Sequence, residues 1–158
     1  MTAPARSCGS CTQCCKTMKV EAPSLHKAKD VWCPHCEIGR GCTIYAERPQ
    51  PCRDFECLWL RGSGSAAMRP DRCKVVLTAP EPIPEMPRGV LLAHVDPTRP
   101  EAWKRGELGR WLQQGVNQGV TVMLILGATH RKVITQDAHV AGWLERALKS
   151  HPDLFQVR

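Results

Sequence analysis

The residues best suited to chemistry in this chain are its cysteines, which are concentrated near the N-terminus. Nine of the ten lie within the first 57 residues, and only Cys73 follows them. Thiolate sulfur is a preferred ligand of zinc and of iron–sulfur clusters. The predicted metal ligands are Cys8, Cys11, Cys14, Cys15, Cys33, Cys36, Cys42, Cys52 and Cys57. A segment this rich in cysteine usually needs a metal or disulfides to stabilise it, because it lacks a sufficient apolar core.

The first cysteine motif places Cys8, Cys11 and Cys14 in series with two residues in each gap, and Cys15 follows directly. Such a gap lets both sulfurs turn toward one centre while the intervening amides donate to them. Three thiolates in series also occur in iron–sulfur sites, where the fourth ligand can come from a distant segment. We expect the neighbouring side chains of Cys14 and Cys15 to diverge, so that one of them serves a second site or stays free.

A second motif, Cys33-Pro34-His35-Cys36 followed by Cys42, has the form of a zinc-knuckle turn. His35 lies inside this turn, but enough thiolates surround it to make a histidine ligand unnecessary. The interpretation is therefore of a thiolate site in which His35 is an alternative ligand.

A third motif spans residues 48–57 and contains Cys52 and Cys57 together with Arg48 and Arg53. The two arginines either offset thiolate charge or contact an anionic partner. Cys73, at the expected start of a strand, is interpreted as a small buried hydrophobic residue and not as a ligand.

The compartment decides whether these thiols bind metal or form disulfides. Residues 1–6 are short and polar, no apolar leader follows them, and the apolar run at residues 120–126 is far too short to cross a bilayer. We therefore expect a cytoplasmic protein without membrane association, in which reduced thiols are available to a metal and disulfides are the alternative.

The formal net charge of +7 does not by itself indicate a nucleic-acid partner. Two Zn²⁺ held by eight thiolates would lower it to about +3, and one [4Fe–4S]²⁺ on four thiolates to about +5. The basic residues are scattered without interleaved aromatics, and residues 26, 27 and 29 (His26, Lys27 and Lys29) are expected on the solvated surface. Nucleic acid is therefore not the expected partner, whereas a protein partner remains possible.

The rest of the chain is expected to position this cluster as part of an α+β fold. Residues 1–62 show little hydrophobic periodicity, which predicts a loop-rich metal-binding region. Beyond residue 70 the predicted order is β-β-α-β-β-α, with a small, mostly antiparallel sheet and two helices packed on the first region. The predicted strands are residues 73–79, 89–95, 120–126 and 131–135, and the predicted helices run from Thr98 to about Gln118 and onward from Asp137. The two predicted regions are residues 1–62 and 70–158.

Beyond cysteine spacing, residues 8–60 carry a longer string of shared motifs. It consists of Cys8-x2-Cys11-x2-Cys14-Cys15, Cys42-Thr43-Ile44-Tyr45, Arg48-Pro49 and Cys52-Arg53-Asp54-Phe55. This string resembles the CxxCxxCC, or YkgJ-type, cysteine cluster family of zinc- or iron-chelating proteins, with Thr12 where that family usually has glycine. Motif match and spacing together favour Cys11, Cys14, Cys42 and Cys52 as the best single-site set. The longer flagellin lysine N-methylases carry a similar cluster with an iron–sulfur centre.

The favoured function is a metal-binding protein with a structural, redox or metal-handling role. The alternatives are a cluster-dependent protein-lysine methyl-transfer enzyme, as the resemblance to the methylases implies, and a zinc-stabilised module that binds nucleic acid or protein. No nucleophile, phosphate-loop or metalloprotease motif is present in the sequence, so an enzyme is not the favoured interpretation. The serial spacing of Cys8, Cys11 and Cys14 favours a [4Fe–4S] cluster, whereas the Cys33–Cys36 turn favours Zn²⁺, and we expect the cluster.

Overall fold

Short elements separated by loops make up the cysteine-rich region in this computed structural model, which describes residues 5–155. In chain order they are α1 (Gln13–Thr17), β1 (Val20–Ala22), β2 (Leu25–Lys27), β3 (Cys36–Glu37), β4 (Gly41–Cys42) and α2 (Gln50–Asp54). Strands β1 and β2 pair as one antiparallel hairpin, and β3 and β4 pair as another. Regular structure is thus sparse here, as the weak periodicity of the sequence predicts.

A four-stranded sheet with two longer helices forms the second part of the fold. A 3₁₀ helix (Ala66–Met68) and α3 (Pro70–Cys73) precede β5 (Val75–Thr78), β6 (Val90–Val95), a second 3₁₀ helix (Ala102–Lys104), α4 (Gly106–Asn117), β7 (Thr121–Leu126), β8 (His130–Ile134) and α5 (Ala138–Ser150). The strand order is β5-β6-β7-β8. The α+β fold class and the predicted β-β-α-β-β-α order are confirmed, and residues 1–4 and 156–158 of the two predicted regions lie outside the described part of the chain.

The pairing in the sheet is mixed, with one parallel pair between two antiparallel ones. Strands β5 and β6 are antiparallel, as are β7 and β8, while β6 and β7 run parallel. The parallel pair is possible because α4 crosses over the sheet and returns the chain to the same edge. The sheet is therefore mostly antiparallel, as predicted, although its central pair is not.

Two local predictions about element boundaries are wrong. Cys73 ends α3 instead of starting a strand, because Pro70 favours a helical turn and Lys74, at φ 61°, ends it in the left-handed region. Thr98 does not cap a helix, because both its amide and its hydroxyl donate to the Asp96 carboxylate. The long helix begins only at Gly106, after the short 3₁₀ turn.

Each face of the sheet carries its own apolar cluster, because side chains alternate along the strands. Leu91, Ala93 and Val95 of β6 face α4, whose buried stripe is Leu108, Leu112 and Val116. Val90 and Leu92 face the other way and pack in the cluster that includes Leu144 of α5. Within residues 5–155, no helix is both long enough and apolar enough to cross a membrane.

Asp96, directly after β6, joins the cysteine-rich region to the sheet. Its carboxylate accepts hydrogen bonds from the Gln13 side chain and the Lys16 ammonium of α1, both at 2.8 Å. The amide of Leu58 also donates to the carbonyl of Leu77 in β5, at 2.9 Å. These long-range bonds hold the helix that carries Cys14 and Cys15 against the end of the sheet.

Candidate metal centre

Backbone hydrogen bonds bring the first two cysteine motifs together. The amide of Cys11 donates to the carbonyl of Cys8 at 2.8 Å, which forms a tight turn just before α1. The amide of Cys33 donates to the carbonyl of Cys15 at 3.0 Å, and the amide of Cys36 donates to the carbonyl of Cys33 at 3.1 Å. The zinc-knuckle turn is therefore anchored directly to the end of the first motif.

The remaining cysteines of the region are positioned by a hairpin and a short helix. Cys36 and Cys42 are cross-strand partners in the β3–β4 hairpin. Cys52 lies in α2, whose first turn contains Pro51 and is preceded by Pro49, so the backbone is already restricted to the required conformation. Distant parts of residues 5–62 are thus folded toward one place.

Two adjoining cavities lie between these segments, and several thiols contribute to the lining of each. The larger has a volume of about 100 Å³, and its thiols are those of Cys8, Cys11, Cys14, Cys15, Cys33, Cys42 and Cys52. The smaller has a volume of about 50 Å³, and its thiols are those of Cys8, Cys11, Cys14, Cys52 and Cys57. Eight of the nine predicted ligands therefore line one or both cavities, and four of them lie in the shared wall.

The side chains of Cys14 and Cys15 are not separated as expected. Both line the larger cavity, and a hydrogen bond between the two thiols, followed by burial, raises the pKa of Cys15. Cys36 is the one predicted ligand that lines neither cavity, but its thiol is also within hydrogen-bonding reach of Cys15. The short helix α1 turns both sulfurs of the adjacent pair to the same side.

Cys73 and His35 lie in different surroundings, since Cys73 is partly buried away from the two cavities and His35 lies beside thiols. The Cys73 thiol donates to the carbonyls of Met68 and Val75 at 3.3 and 3.4 Å, and it packs against the apolar cluster under α4. His35 lines the larger cavity among the thiols, so it remains an alternative ligand.

Burial raises the pKa values of several thiols in this region. It raises the pKa of Cys11 to about 11, and it raises that of Cys36, together with the charge of Cys15, to about 12. The pKa values of Cys8 and Cys52 are also raised, mainly by burial. A metal that binds here must displace protons from sulfur, so binding will be weaker at lower pH.

The two arginines of the third motif have different positions. Arg48 lines both cavities. Its guanidinium carbon lies 3.7 Å from the centre of the Tyr45 ring, on which it stacks. Burial raises the pKa values of Cys8 and Cys52, and the positive charge of Arg48 acts in the opposite direction with a smaller effect. Arg53 is exposed and donates to the Arg48 carbonyl at 2.6 Å. Of these two arginines, Arg48 is the one placed to offset thiolate charge.

Lys27 is a residue of the site that the sequence analysis assigned wrongly to the surface. Its residue exposure is 3%, and it lines the larger cavity with Cys15 and Cys33. The burial alternation of β2, in which Leu25 and Lys27 point inward and His26 outward, is the signal that could have found it.

The chemistry of the donor set fits a thiophilic metal. All ten thiols are free in the described chain. The larger cavity exceeds the space of one water, so it is also larger than a single ion requires. Within residues 5–155, however, no three His, Cys, Asp or Glu side chains are already grouped in an arrangement that could hold an ion.

Comparison of the chain with protein-family models, curated proteins and solved structures finds no match. The resemblance to the CxxCxxCC family therefore stays a prediction from the sequence motifs.

Proposed function

We propose that this chain is a cytoplasmic metal-binding protein whose cysteine-rich region holds a [4Fe–4S] cluster or, as the second choice, Zn²⁺. Its role would be structural, redox or metal-handling. The observation that supports this proposal most directly is the lining of two adjoining cavities by eight of the nine clustered thiols. An isolated buried cysteine needs only an apolar environment, whereas several thiols around shared cavities provide the sulfur donors that zinc and iron–sulfur clusters require.

The donor set suits both metals, because four thiolates satisfy zinc and iron–sulfur clusters alike. The size of the larger cavity, about 100 Å³, supports a polynuclear group over a single ion. A bound cluster would supply one-electron chemistry or structural support, whereas zinc would supply structural support alone. Cys8, Cys11, Cys14 and Cys52 line both cavities and are the residues that would hold a group in either one.

Analysis of protein purified without oxygen tests the proposal. We expect iron and acid-labile sulfide in equal amounts and a broad absorption near roughly 400 nm. Colourless protein with zinc, and no iron uptake on reconstitution, would select zinc. Metal-free protein with native disulfides, which takes up neither metal after reduction, would overturn the proposal.

A matched pair of serine variants tests the site itself. Cys52→Ser removes a thiol from the wall shared by both cavities, so metal content should fall. Cys73→Ser changes a thiol that bonds to two carbonyls beside the apolar cluster, so metal content should be retained. The opposite result would place the centre elsewhere.

A second candidate function, a metal-stabilised module that binds an acidic protein segment, is favoured by a separate groove. This cavity of about 670 Å³ lies next to α3 and α4 and is lined by the basic side chains Arg72, Lys74, Arg99 and Arg105. Its two acids are engaged elsewhere, since Glu101 pairs with Lys104 at 2.5 Å and Glu107 accepts from Ser65. The groove therefore offers a net positive surface.

Binding of a glutamate-rich peptide, measured at low and high salt, tests this second candidate. The Arg99→Ala/Arg105→Ala double variant should weaken binding, while Arg61→Ala, an exposed change outside the groove, should not. Equal binding by all three proteins would exclude the groove, and tighter binding of duplex DNA than of the peptide would favour the nucleic-acid alternative.

A further inference from the structure

The ammonium group of Lys27 is buried at the wall of the larger cavity and fully hydrogen-bonded. Its Nζ donates to the carbonyls of Lys16 at 3.0 Å, Ala28 at 2.9 Å and Val31 at 2.8 Å. An ammonium has three N–H donors, so these three bonds use all of them and fix the position of the charge. The residue is only 3% exposed, so little water reaches this charge.

The partners of Lys27 are all neutral, unlike those of the other lysines nearby. Lys16 pairs with the Asp96 carboxylate at 2.8 Å, and Lys29 pairs with Asp30 at 3.2 Å. Among the described residues, no carboxylate forms an ion pair with Lys27. A buried charge with only neutral partners is costly unless an opposite charge comes close to it.

The thiols of Cys15 and Cys33 are the groups that can supply that opposite charge. They line the same cavity as Lys27. Burial lowers the pKa of Lys27, while negative charge on Cys33 and Cys15 raises it, and both act more strongly than Asp30. A [4Fe–4S]²⁺ cluster or a Zn²⁺ ion on four thiolates carries a net charge of about −2, so loading the centre would create the missing counter-charge.

We infer that Lys27 is a positioning residue of the metal centre, whose buried ammonium balances the net negative charge of the metal–thiolate group and thereby strengthens metal binding. This inference rests on the proposed function. It has a consequence that a purely structural lysine would not have. Thiolates that hold a metal supply the opposite charge beside Lys27, so its ammonium should stabilise the loaded protein more than the metal-free protein.

Two neutral substitutions separate charge from structure. Lys27→Met keeps an unbranched side chain that is one atom shorter, and it removes both the charge and the donors. Lys27→Gln removes the charge but keeps a side-chain N–H₂ that can donate to carbonyls. Lys29→Met is the matched control, because Lys29 lies on the same segment but has its own carboxylate partner.

For the full-length variants we would measure metal affinity by chelator competition and stability of the metal-free form by denaturant unfolding. We expect Lys27→Met and Lys27→Gln to bind metal at least about tenfold more weakly, as the loss of a nearby opposite charge predicts. At least one of them should be as stable as the wild type without metal. For a cluster, the reduction potential should also become more negative, because the reduced, more negative state loses a neighbouring cation. Lys29→Met should change metal affinity less than Lys27→Met does.

The outcomes separate this inference from the proposed function. Metal uptake by the wild type with unchanged affinity in both Lys27 variants would overturn the inference alone. Equal destabilisation of the metal-free and loaded forms would also overturn it, because that is the result of a structural hydrogen-bonding role. Absence of metal uptake by the wild type would overturn the proposed function, and the inference with it.

Discussion

Residues 70–155 pack apolar side chains on both faces of a sheet, whereas residues 5–62 bury polar side chains beside two cavities that several thiols line. In the sheet region, Leu92, Leu124 and Leu144 are at most 1% exposed. In the cysteine-rich region, Thr12, Gln13, Thr17 and Lys27 are buried. The buried apolar residues there are few: Met18, Val20, Ala22, Leu25 and Pro49. Apolar burial stabilises directly, while polar burial stabilises only when hydrogen bonds or opposite charges compensate for lost water.

The two regions therefore depend on different sources of stability. The sheet region can gain its free energy of folding from its two apolar clusters. The cysteine-rich region has a small apolar core and should depend on bound metal and on its contacts with the sheet.

Removal of metal should have the largest effect and should act on one region. Structural zinc contributes about 10–16 kcal/mol of apparent binding free energy in small metal-dependent domains. We therefore expect chelation to abolish hydrogen-exchange protection in residues 5–62 while β6 and β7 remain protected. Hydrogen exchange measured by mass spectrometry checks this. Equal loss of protection in both regions would show that they fold as one metal-dependent unit.

Truncation of a side chain in the sheet core should destabilise the sheet region and leave metal binding unchanged. Leu124→Ala in β7 opens a cavity in a fully buried position, which should cost about 2–5 kcal/mol of unfolding free energy. Denaturant unfolding measures this loss. Metal content at room temperature should stay at the wild-type level, since Leu124 does not line the thiol cavities. Loss of metal from the folded variant would contradict the separation of the two regions.

The hydrogen bonds of Asp96 should make an intermediate contribution to the free energy of unfolding, and this contribution should depend on pH. Burial acts to raise the pKa of Asp96, but hydrogen bonds from Lys16, from the Thr98 amide and from Gln13 hold it below its ordinary value. Because the folded pKa is depressed, the stabilisation is present above about pH 4 and is lost as the pH falls through the folded value.

Asp96→Asn should therefore cost about 1–3 kcal/mol at neutral pH, where charged hydrogen bonds are lost. The difference from the wild type should shrink as the pH falls below about 4. Unfolding curves of the metal-free proteins at several pH values measure this, because metal binding would add its own pH dependence. A difference that does not change with pH would show that the carboxylate charge is not responsible.

Substitution of Arg48 or Arg53 should give the smallest effects, and the two substitutions should differ in their effect on metal affinity. Arg48→Ala removes a cation that lines both thiol cavities, so metal affinity should fall by about tenfold. Arg53→Ala removes an exposed side chain outside both cavities and should change affinity little. Chelator competition compares the two variants directly. Equal effects of the two variants on metal affinity would contradict a specific role for Arg48 at the cavities.

Local patterns in the sequence determined the order of elements and the place of the cluster. Alternating and helical spacing of apolar residues predicts the four strands and two longer helices of residues 70–155, because each pattern reports burial within its own segment. Cysteine spacing likewise predicts the thiols that gather, since the turns between Cys8, Cys11 and Cys14 are local structures.

The contacts between distant groups depend on tertiary packing and do not follow from local sequence patterns. Gln13 and Asp96 are 83 positions apart in the chain, and the parallel pairing of β6 with β7 depends on the path of α4 over the sheet. The burial of Lys27, beside Cys15 and Cys33, likewise depends on packing between α1 and the loop after β2. No spacing rule predicts such contacts, because they form when separate segments of the chain pack together and exclude water. A charged residue stays buried there only if hydrogen bonds or opposite charges compensate for the lost water.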